Sequence, residues 1–381
     1  MAEAVPAMTL TLSDEQRMLR DSVQAFLGAR APVAQLRGLR DTADPLGYSR
    51  ELWREFGAQG YSATLVPERD GGLGLGVVEA GLIAEQLGHT LTPSPFLSTA
   101  VLAGWAIAQA GSATQRSRLL PAIVAADTVL ALAVDEHAKH RPAAIATTAT
   151  REGAGFRLDG SKLLVIDGHV AAMLIVAARS GADALTLFLV DTAAAGVAIE
   201  RTVLVDAHNA ARVRLASVRV GADAVLGTVD GGAAWLESLL DVGRVVVAAE
   251  LLGLADEVFA RTLAYLKERR QFDRPIGEFQ ALQHRAAELY CDLEMTRALV
   301  LKALKAVAAA PAQARLLASQ SKAHACTTAD RAVREGVQLH GGMGMTDAFD
   351  LGLFMKRARV LQELFGDAGF HAERVATLQG Y

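Results

Sequence analysis

The apolar residues of this chain recur at helical spacing through its first third, change to short alternating runs between Val129 and Val225, and return to helical spacing from Gly232 onward. A strand turns successive side chains to opposite faces whereas a helix stacks every third or fourth on one face, so the order must be helices, sheet, helices. Ser13 and Gln16 have capping-box spacing, and Met18, Leu19, Val23, Phe26 and Leu27 follow on one helical face. A second amphipathic stretch covers 52–61, and helices are expected over 76–87, 98–110 and 116–125. The segment 66–74, with one proline and three glycines, reads as a loop.

In the middle, Leu158 and the runs 163–166, 174–177, 185–190, 197–199 and 212–220 are short, rich in strand formers and separated by Gly and Asp. Residues 211–215 alternate apolar and polar as a half-buried strand requires. They predict a small antiparallel β domain. Helices are expected again over 236–270, 280–309, 312–340 and 351–365, with a turn around Pro311 over 306–314, and they form a four-helix bundle. The fold is α+β, mostly α, in three domains: 1–125 helical, 126–231 β, and 232–381 a helical bundle.

Composition agrees and excludes several functions. The 381 residues are 51% apolar but only 5% aromatic, which suits closely packed helices. With 38 basic and 42 acidic residues spread along the chain, net charge is −4 and no basic face offers itself to nucleic acid. Cys291 and Cys326 fall in helical segments and read as reduced core thiols of a cytoplasmic protein. The start lacks a basic, then apolar, secretory pattern. The apolar run 242–254 is broken by Arg244 and Glu250, so no transmembrane helix is expected.

Gly72, Gly74 and Gly76 lack the spacing and preceding strand of a dinucleotide site. There is no GxxxxGK[ST], HExxH or paired CxxC, and His324 and Cys326 point apart on a helix, so no metal is predicted. Arg269, Arg270, Gln271, Phe272, Arg274 and Pro275 make a cationic cluster at a helix end, where positive charge complements the dipole. Gln338 to Met345 carries three glycines, which either stop a helix or admit a ligand to the backbone. His284 reads as packed or capping, and His340 as shaping the glycine turn.

Together, RRQFDRPIGEFQALQHRAAEL (269–289), QLHGGMGMTDAF (338–349), the VPERDGGLGL loop, the TLSDEQRMLRDSVQAFL start and the helix–sheet–helix order resemble the acyl-CoA dehydrogenase family over essentially the whole chain. The resemblance implies FAD-dependent α,β-dehydrogenation of an acyl-CoA thioester, with an electron-transfer flavoprotein as electron acceptor. It implies that Arg269, Gln271, Phe272, Gln280, Gln338, Gly341 and Gly342 contact FAD held by a neighbouring subunit. Guanidinium and backbone N–H groups suit a pyrophosphate.

The same resemblance marks departures. The usual base, a Glu in a YEGT-type segment, falls on Phe365, with Asp367 at the Thr. The alternative base, in a DxER-type segment, falls on Gly243. The flavin-facing TEPGAGS-type loop reads as 134–140 without its hydroxyls, and Leu164, Val165 and Ile166 stand in the WIT-type strand. Asp241, Glu250, Glu363 and Asp367 are the substitute carboxylates to weigh, each with an ordinary structural reading as a helix-borne acid. The ending, Phe354 to Arg357 with Leu364 to Asp367, resembles the small subunit of pimeloyl-CoA dehydrogenase and partner subunits of steroid side-chain degradation. That implies a chain completing the FAD site of a catalytic paralogue in an α2β2 assembly. The alternatives are a self-sufficient homotetrameric dehydrogenase with a displaced carboxylate base, and a CoA-thioester-binding relative that performs no dehydrogenation.

Overall fold

Ser13 opens α1 (Asp14–Arg30): its Oγ accepts from the Gln16 N–H at 3.2 Å while the Gln16 side chain accepts from the Ser13 N–H at 3.0 Å, the reciprocal pair the spacing predicts. The computed structural model describes residues 10–381. The first layer continues through α2 (Val33–Asp41), α3 (Arg50–Ala58), α4 (Val77–Thr90), α5 (Gly104–Ala110) and α6 (Ala113–Val124). Where plain helix is expected from residue 98, the chain instead winds as a π-helix over Phe96–Ala103. Its side chains tie the helices to the sheet: Ser98 Oγ donates to the Asp167 carboxyl at 2.6 Å, and Thr99 Oγ1 bonds both backbone groups of Leu130 at 3.0 Å.

The sheet comprises β1 (Leu130–Ala133), β2 (Thr148–Glu152), β3 (Gly155–Ile166), β4 (Met173–Arg179), β5 (Leu185–Asp191), β6 (Val197–Val203), β7 (Asn209–Val220) and β8 (Val225–Leu226). Its order is β6-β7-β3-β2-β4-β5-β8, with β1 beside β4. Most pairs are antiparallel, but β1 runs parallel to β4 from Leu130↔Met173 to Ala133↔Val176, and Thr148↔Arg179 is parallel as well. The sheet is thus antiparallel as expected apart from these two pairs: β1 enters from α6 rather than through a hairpin, so no tight turn fixes its direction. Register shifts between Lys162 and Val165 on the β3–β7 ladder. There Leu164 takes φ 52 and faces outward, 42% exposed.

The bundle is α7 (Gly232–Glu268), the small hairpin β9 (Arg270–Gln271) and β10 (Arg274–Pro275), α8 (Gln280–Ala309), α9 (Pro311–His340), α10 (Leu351–Glu363) and α11 (Ala368–Leu378). The turn expected over 306–314 shrinks to Ala310, because Pro311 starts α9 where its missing N–H is harmless. The long α7 is buried on every side from Leu239 to Ala255, which explains its apolar run without a membrane. A Cβ on Gly253 would stand 1.9 Å from the Glu85 carbonyl, so only glycine allows α4 and α7 to cross this closely. Among the described residues no helix is long and apolar enough to cross a membrane. Cys326 is buried as expected, but Cys291 is exposed. It lies off the α8 stripe of Leu289, Leu293, Thr296 and Val300 that faces the core.

Candidate functional site

Two concavities carry the residues singled out above. At the end of the bundle, α7 stops at Arg269 and the chain doubles back through Phe272 and Asp273, both with positive φ. Beside it α9 ends at His340, and Gly341 turns the backbone at φ 59. Arg269, Gln271, Gln338, His340, Gly341 and Gly342 thus line one cleft of about 550 Å³. Arg270 donates to the Asp273 carbonyl at 2.8 Å and Arg274 lies 4.3 Å over the Phe279 ring. Among the described residues, Arg269, Arg270 and Arg274 form no ion pair with a carboxylate. A Cβ on Gly341 or Gly342 would meet nothing within 4 Å, so the backbone there lies open. His340 closes α9 with its Nδ1 2.7 Å from the Gly336 carbonyl and its ring stacked on Tyr265 at 4.3 Å. Phe272, 86% exposed, and Gln280, exposed at the head of α8, lie outside the lining. His284, expected to pack or cap, is exposed on α8.

The second concavity, of about 390 Å³, lies between the sheet and α10. Leu97, Leu102 and Leu132 are buried in its floor, and Leu163, Leu164 and Ile166 form its sheet side. Val165, grouped with its neighbours in the sequence, is instead buried and outside the lining. Phe365, at φ 59, closes one end. A Cβ on Gly243 would stand 2.9 Å from the Phe365 ring and 3.1 Å from Leu102. One aromatic ring therefore fills both positions aligned with a base.

The four substitute carboxylates are all engaged. Asp241 accepts from Arg244 at 2.7 Å and Arg374 at 3.0 Å, and Glu250 accepts from Arg357 at 2.6 Å. Both are buried. Asp367 caps α11 through the Phe370 N–H and takes Lys139, contacts that hold its carboxyl below the usual range. Glu363 bonds Lys139 at 2.5 Å and Arg359 at 2.6 Å, and it alone of the four lines the cavity.

The sequence did not reveal a chain of polar contacts beside Phe365. His140 places Nδ1 2.9 Å from the Asp135 carboxylate and Nε2 3.4 Å from Arg244. Its ring meets Phe365 edge-on at 6.2 Å. Asp135 and His140 both line the cavity; their segment stands out in the sequence, but only the fold brings Arg244 to it. Lys162, fully buried, anchors the same loop through Glu136 at 2.7 Å and the Val134 and Ala177 carbonyls. Behind Phe365, both ring nitrogens of His371 lack partners. Burial, with Lys322, Arg244 and Arg374 nearby, lowers its pKa to about 2.

Elsewhere, Glu85, His89 and Asp256 bring ligand-type atoms within 4.8 Å of one another. Arg297 already bonds Asp256 at 2.7 Å and Glu85 at 3.4 Å, supplying the positive charge there. His324 bonds Thr296 and Cys326 bonds Lys322, so the two point to different neighbours.

The chain is thus a helical layer, a mostly antiparallel sheet and a helical bundle in that order, with an arginine-and-glycine cleft at the bundle's end. Residues 13–127 match the family profile "Acyl-CoA dehydrogenase, N-terminal domain" and residues 230–378 match "Acyl-CoA dehydrogenase, C-terminal domain". The chain belongs to the acyl-CoA dehydrogenase family. It is similar to the acyl-CoA dehydrogenase IpdE2 of Mycolicibacterium smegmatis, 31% identical over 93% of this chain and 96% of that one. FadE27 of Mycobacterium tuberculosis is 30% identical over 86% and 87%. Among solved structures, the ChsE4-ChsE5 complex from Mycobacterium tuberculosis aligns with TM-score 0.89 at 28% identity, covering 98% and 100%. A variant of the Tcur3481-Tcur3483 steroid ACAD aligns with TM-score 0.88 at 32% identity, covering 97% and 98%.

Proposed function

We propose that this chain is the non-catalytic subunit of a heteromeric acyl-CoA dehydrogenase, completing the FAD site of a catalytic paralogue in an α2β2 assembly. The observation that carries this reading is the Phe365 ring lying over Gly243, which leaves neither base position available. FAD, when bound, supplies the acceptor for the hydride lost from the thioester β-carbon, and an electron-transfer flavoprotein takes the electrons onward.

The donor set fits FAD in one place and not in the other. In the bundle-end cleft, Arg269 is free of carboxylate partners and the Gly341–Gly342 backbone is open, which suits a pyrophosphate. Gln338 and Gln271 offer amides to sugar or base edges. Phe272 and Gln280, on the rim, would engage only as part of an assembled interface. In the cavity beside Phe365 the sheet wall is aliphatic and Asp135 adds negative charge where ring contacts are needed, so this chain holds no flavin ring of its own. The role is that of the small subunit of pimeloyl-CoA dehydrogenase, and two similar solved structures are named as pairs, ChsE4-ChsE5 and Tcur3481-Tcur3483. Branched, dicarboxylic or steroid acyl thioesters are the substrates we assign to the assembly, which we place in the cytoplasm.

Co-expression with a paralogue that retains a Glu at the position of Phe365 tests the proposal. A flavin-bearing complex should form, and Arg269→Ala should loosen its FAD by about tenfold or more, the loss expected for a charged hydrogen bond. Unchanged FAD retention in the variant would argue against the cleft.

A further inference from the structure

A buried thiol is ordinarily inert, but Cys326 has a nucleophilic neighbour that the proposed function does not use. Lys322, one turn earlier on α9, is fully buried and donates from Nζ to the Cys326 Sγ at 3.2 Å. Its other partners are the Gln362 carbonyl at 3.1 Å and the Gly366 carbonyl at 2.9 Å, neither of them a carboxylate. The other fully buried lysine, Lys162, has Glu136 to hold its charge. Burial pushes the Lys322 amine down and the Cys326 thiol up, so both favour their neutral forms. A neutral amine is the form that attacks an oxidised sulfur.

The pair lies close behind an opening. Gly366, whose carbonyl Lys322 holds, lines a concavity of about 350 Å³ with Glu363, Asp367 and Phe370. On the inner side His371 is wholly buried, and neither of its ring nitrogens has a partner. Its Nε2 would stand 3.0 Å from a Cβ on Gly366, so it reaches the same turn. Unpaired buried polar atoms beside an opening suit a small polar molecule with donors and acceptors, as water is and as hydrogen peroxide is.

We infer that Lys322 and Cys326 form a reversible covalent cross-link, an S–N bond between Sγ and Nζ, when the chain meets a peroxide. The sulfur attacks one peroxide oxygen and the O–O bond breaks. The thiol proton, passed through Lys322, leaves with the released hydroxide as water, so sulfur is oxidised to the sulfenic acid and peroxide is reduced. The Lys322 amine then attacks that sulfur: the S–N bond forms, the S–O bond breaks, and the hydroxyl leaves with an amine proton as a second water. Two molecules of a thiol reductant restore the thiol and the amine and become a disulfide. Cross-linked Nζ keeps one N–H for two carbonyls, which loosens the turn carrying Phe365.

Peptide mass spectrometry tests the inference on the full chain carrying Cys291→Ser, which removes the exposed thiol. The folded protein is treated with excess hydrogen peroxide, then denatured and digested with trypsin, which cuts after Lys322 only if the amine is free. The expected product is one peptide spanning 316–331, uncut at Lys322 and lighter by two hydrogens, which dithiothreitol converts so that trypsin yields 316–322 and 323–331. Adding Cys326→Ser should leave Lys322 cut after the same treatment. Hydrogen exchange over 362–366 should rise with the cross-link and fall on reduction, and unchanged exchange would overturn its effect on the Phe365 turn. A folded chain whose Cys326 stays a thiol, or gains oxygen while Lys322 is still cut, would overturn the cross-link itself. The outcome is independent of flavin content, so the flavin-completing reading stands or falls separately.

Discussion

Phe365 adopts a left-handed backbone, φ 59, which a bulky side chain takes only when its surroundings impose it, and Gly366 at φ 107 completes the turn. Its ring occupies the space a side chain on Gly243 would need. Gly243→Ala should therefore destabilise the chain by about 1–3 kcal/mol, as overpacking does. Most of that loss should vanish in a Phe365→Ala background, a coupling that urea unfolding of the double-mutant cycle measures. Additive effects would mean that the ring is elsewhere. His371 gives a pH prediction. Its folded pKa of about 2 lies far below the ordinary 6.5, so the unfolded chain binds a proton first as pH falls. Stability is full above the unfolded value and is lost downward from there, by up to about 1.4 kcal/mol per pH unit. Asp167, raised to about 6 by burial, acts in the opposite sense between its ordinary value and 6, so the comparison with His371→Leu isolates the histidine. That variant should be the less acid-sensitive of the two. Positions 243 and 365 were both visible in the sequence as departures. That one ring fills both was not, because spacing along a chain says nothing of contact between distant turns.

Among elements, the long helices and the strands from β3 to β7 followed from periodicity, since 3.6- and 2-residue repeats cannot be mistaken over long stretches, whereas the short α2, α11, β1 and β2 were not read from it. The capping box at Ser13 was equally legible, being a local pattern. What periodicity could not supply was set by tertiary contact: the parallel direction of β1, the π-helical turns at 96–103, and the exposure of Cys291. The charges inside α7 belong here too. Glu250 and Arg357 bond within 2.8 Å, both largely buried, and Arg357 also holds Asp206 at 2.9 Å. Burial alone would raise the Asp206 carboxyl, yet His208 and Arg357 together hold it below the usual range. Removing Arg357 leaves Glu250 as an uncompensated buried charge, so Arg357→Leu should cost about 3–5 kcal/mol. Chemical denaturation measures this, and a loss below about 1 kcal/mol would show that water still reaches the pair.

For the whole molecule, the asymmetry between its two concavities is the central claim. Among the described residues the bundle-end cleft offers Arg269 without a carboxylate partner and an open glycine backbone, while beside the second cavity the Phe365 ring fills the space a side chain on Gly243 would need. The cleft was legible from its two motifs, because glycine and arginine signal through identity alone. The polar chain of Asp135, His140 and Arg244 was not, because the fold assembles it from two domains. A subunit of this kind should enlarge its flavin content only in company. The measurement that bears most directly on this is the visible absorption spectrum of the chain expressed and purified alone, read as flavin per polypeptide. A colourless, folded protein that gains stoichiometric FAD only when co-expressed with a Glu-bearing paralogue is the predicted result. A yellow chain with stoichiometric FAD, bleached anaerobically by an acyl-CoA, would contradict it and turn attention to Glu363 and Asp135 as the base.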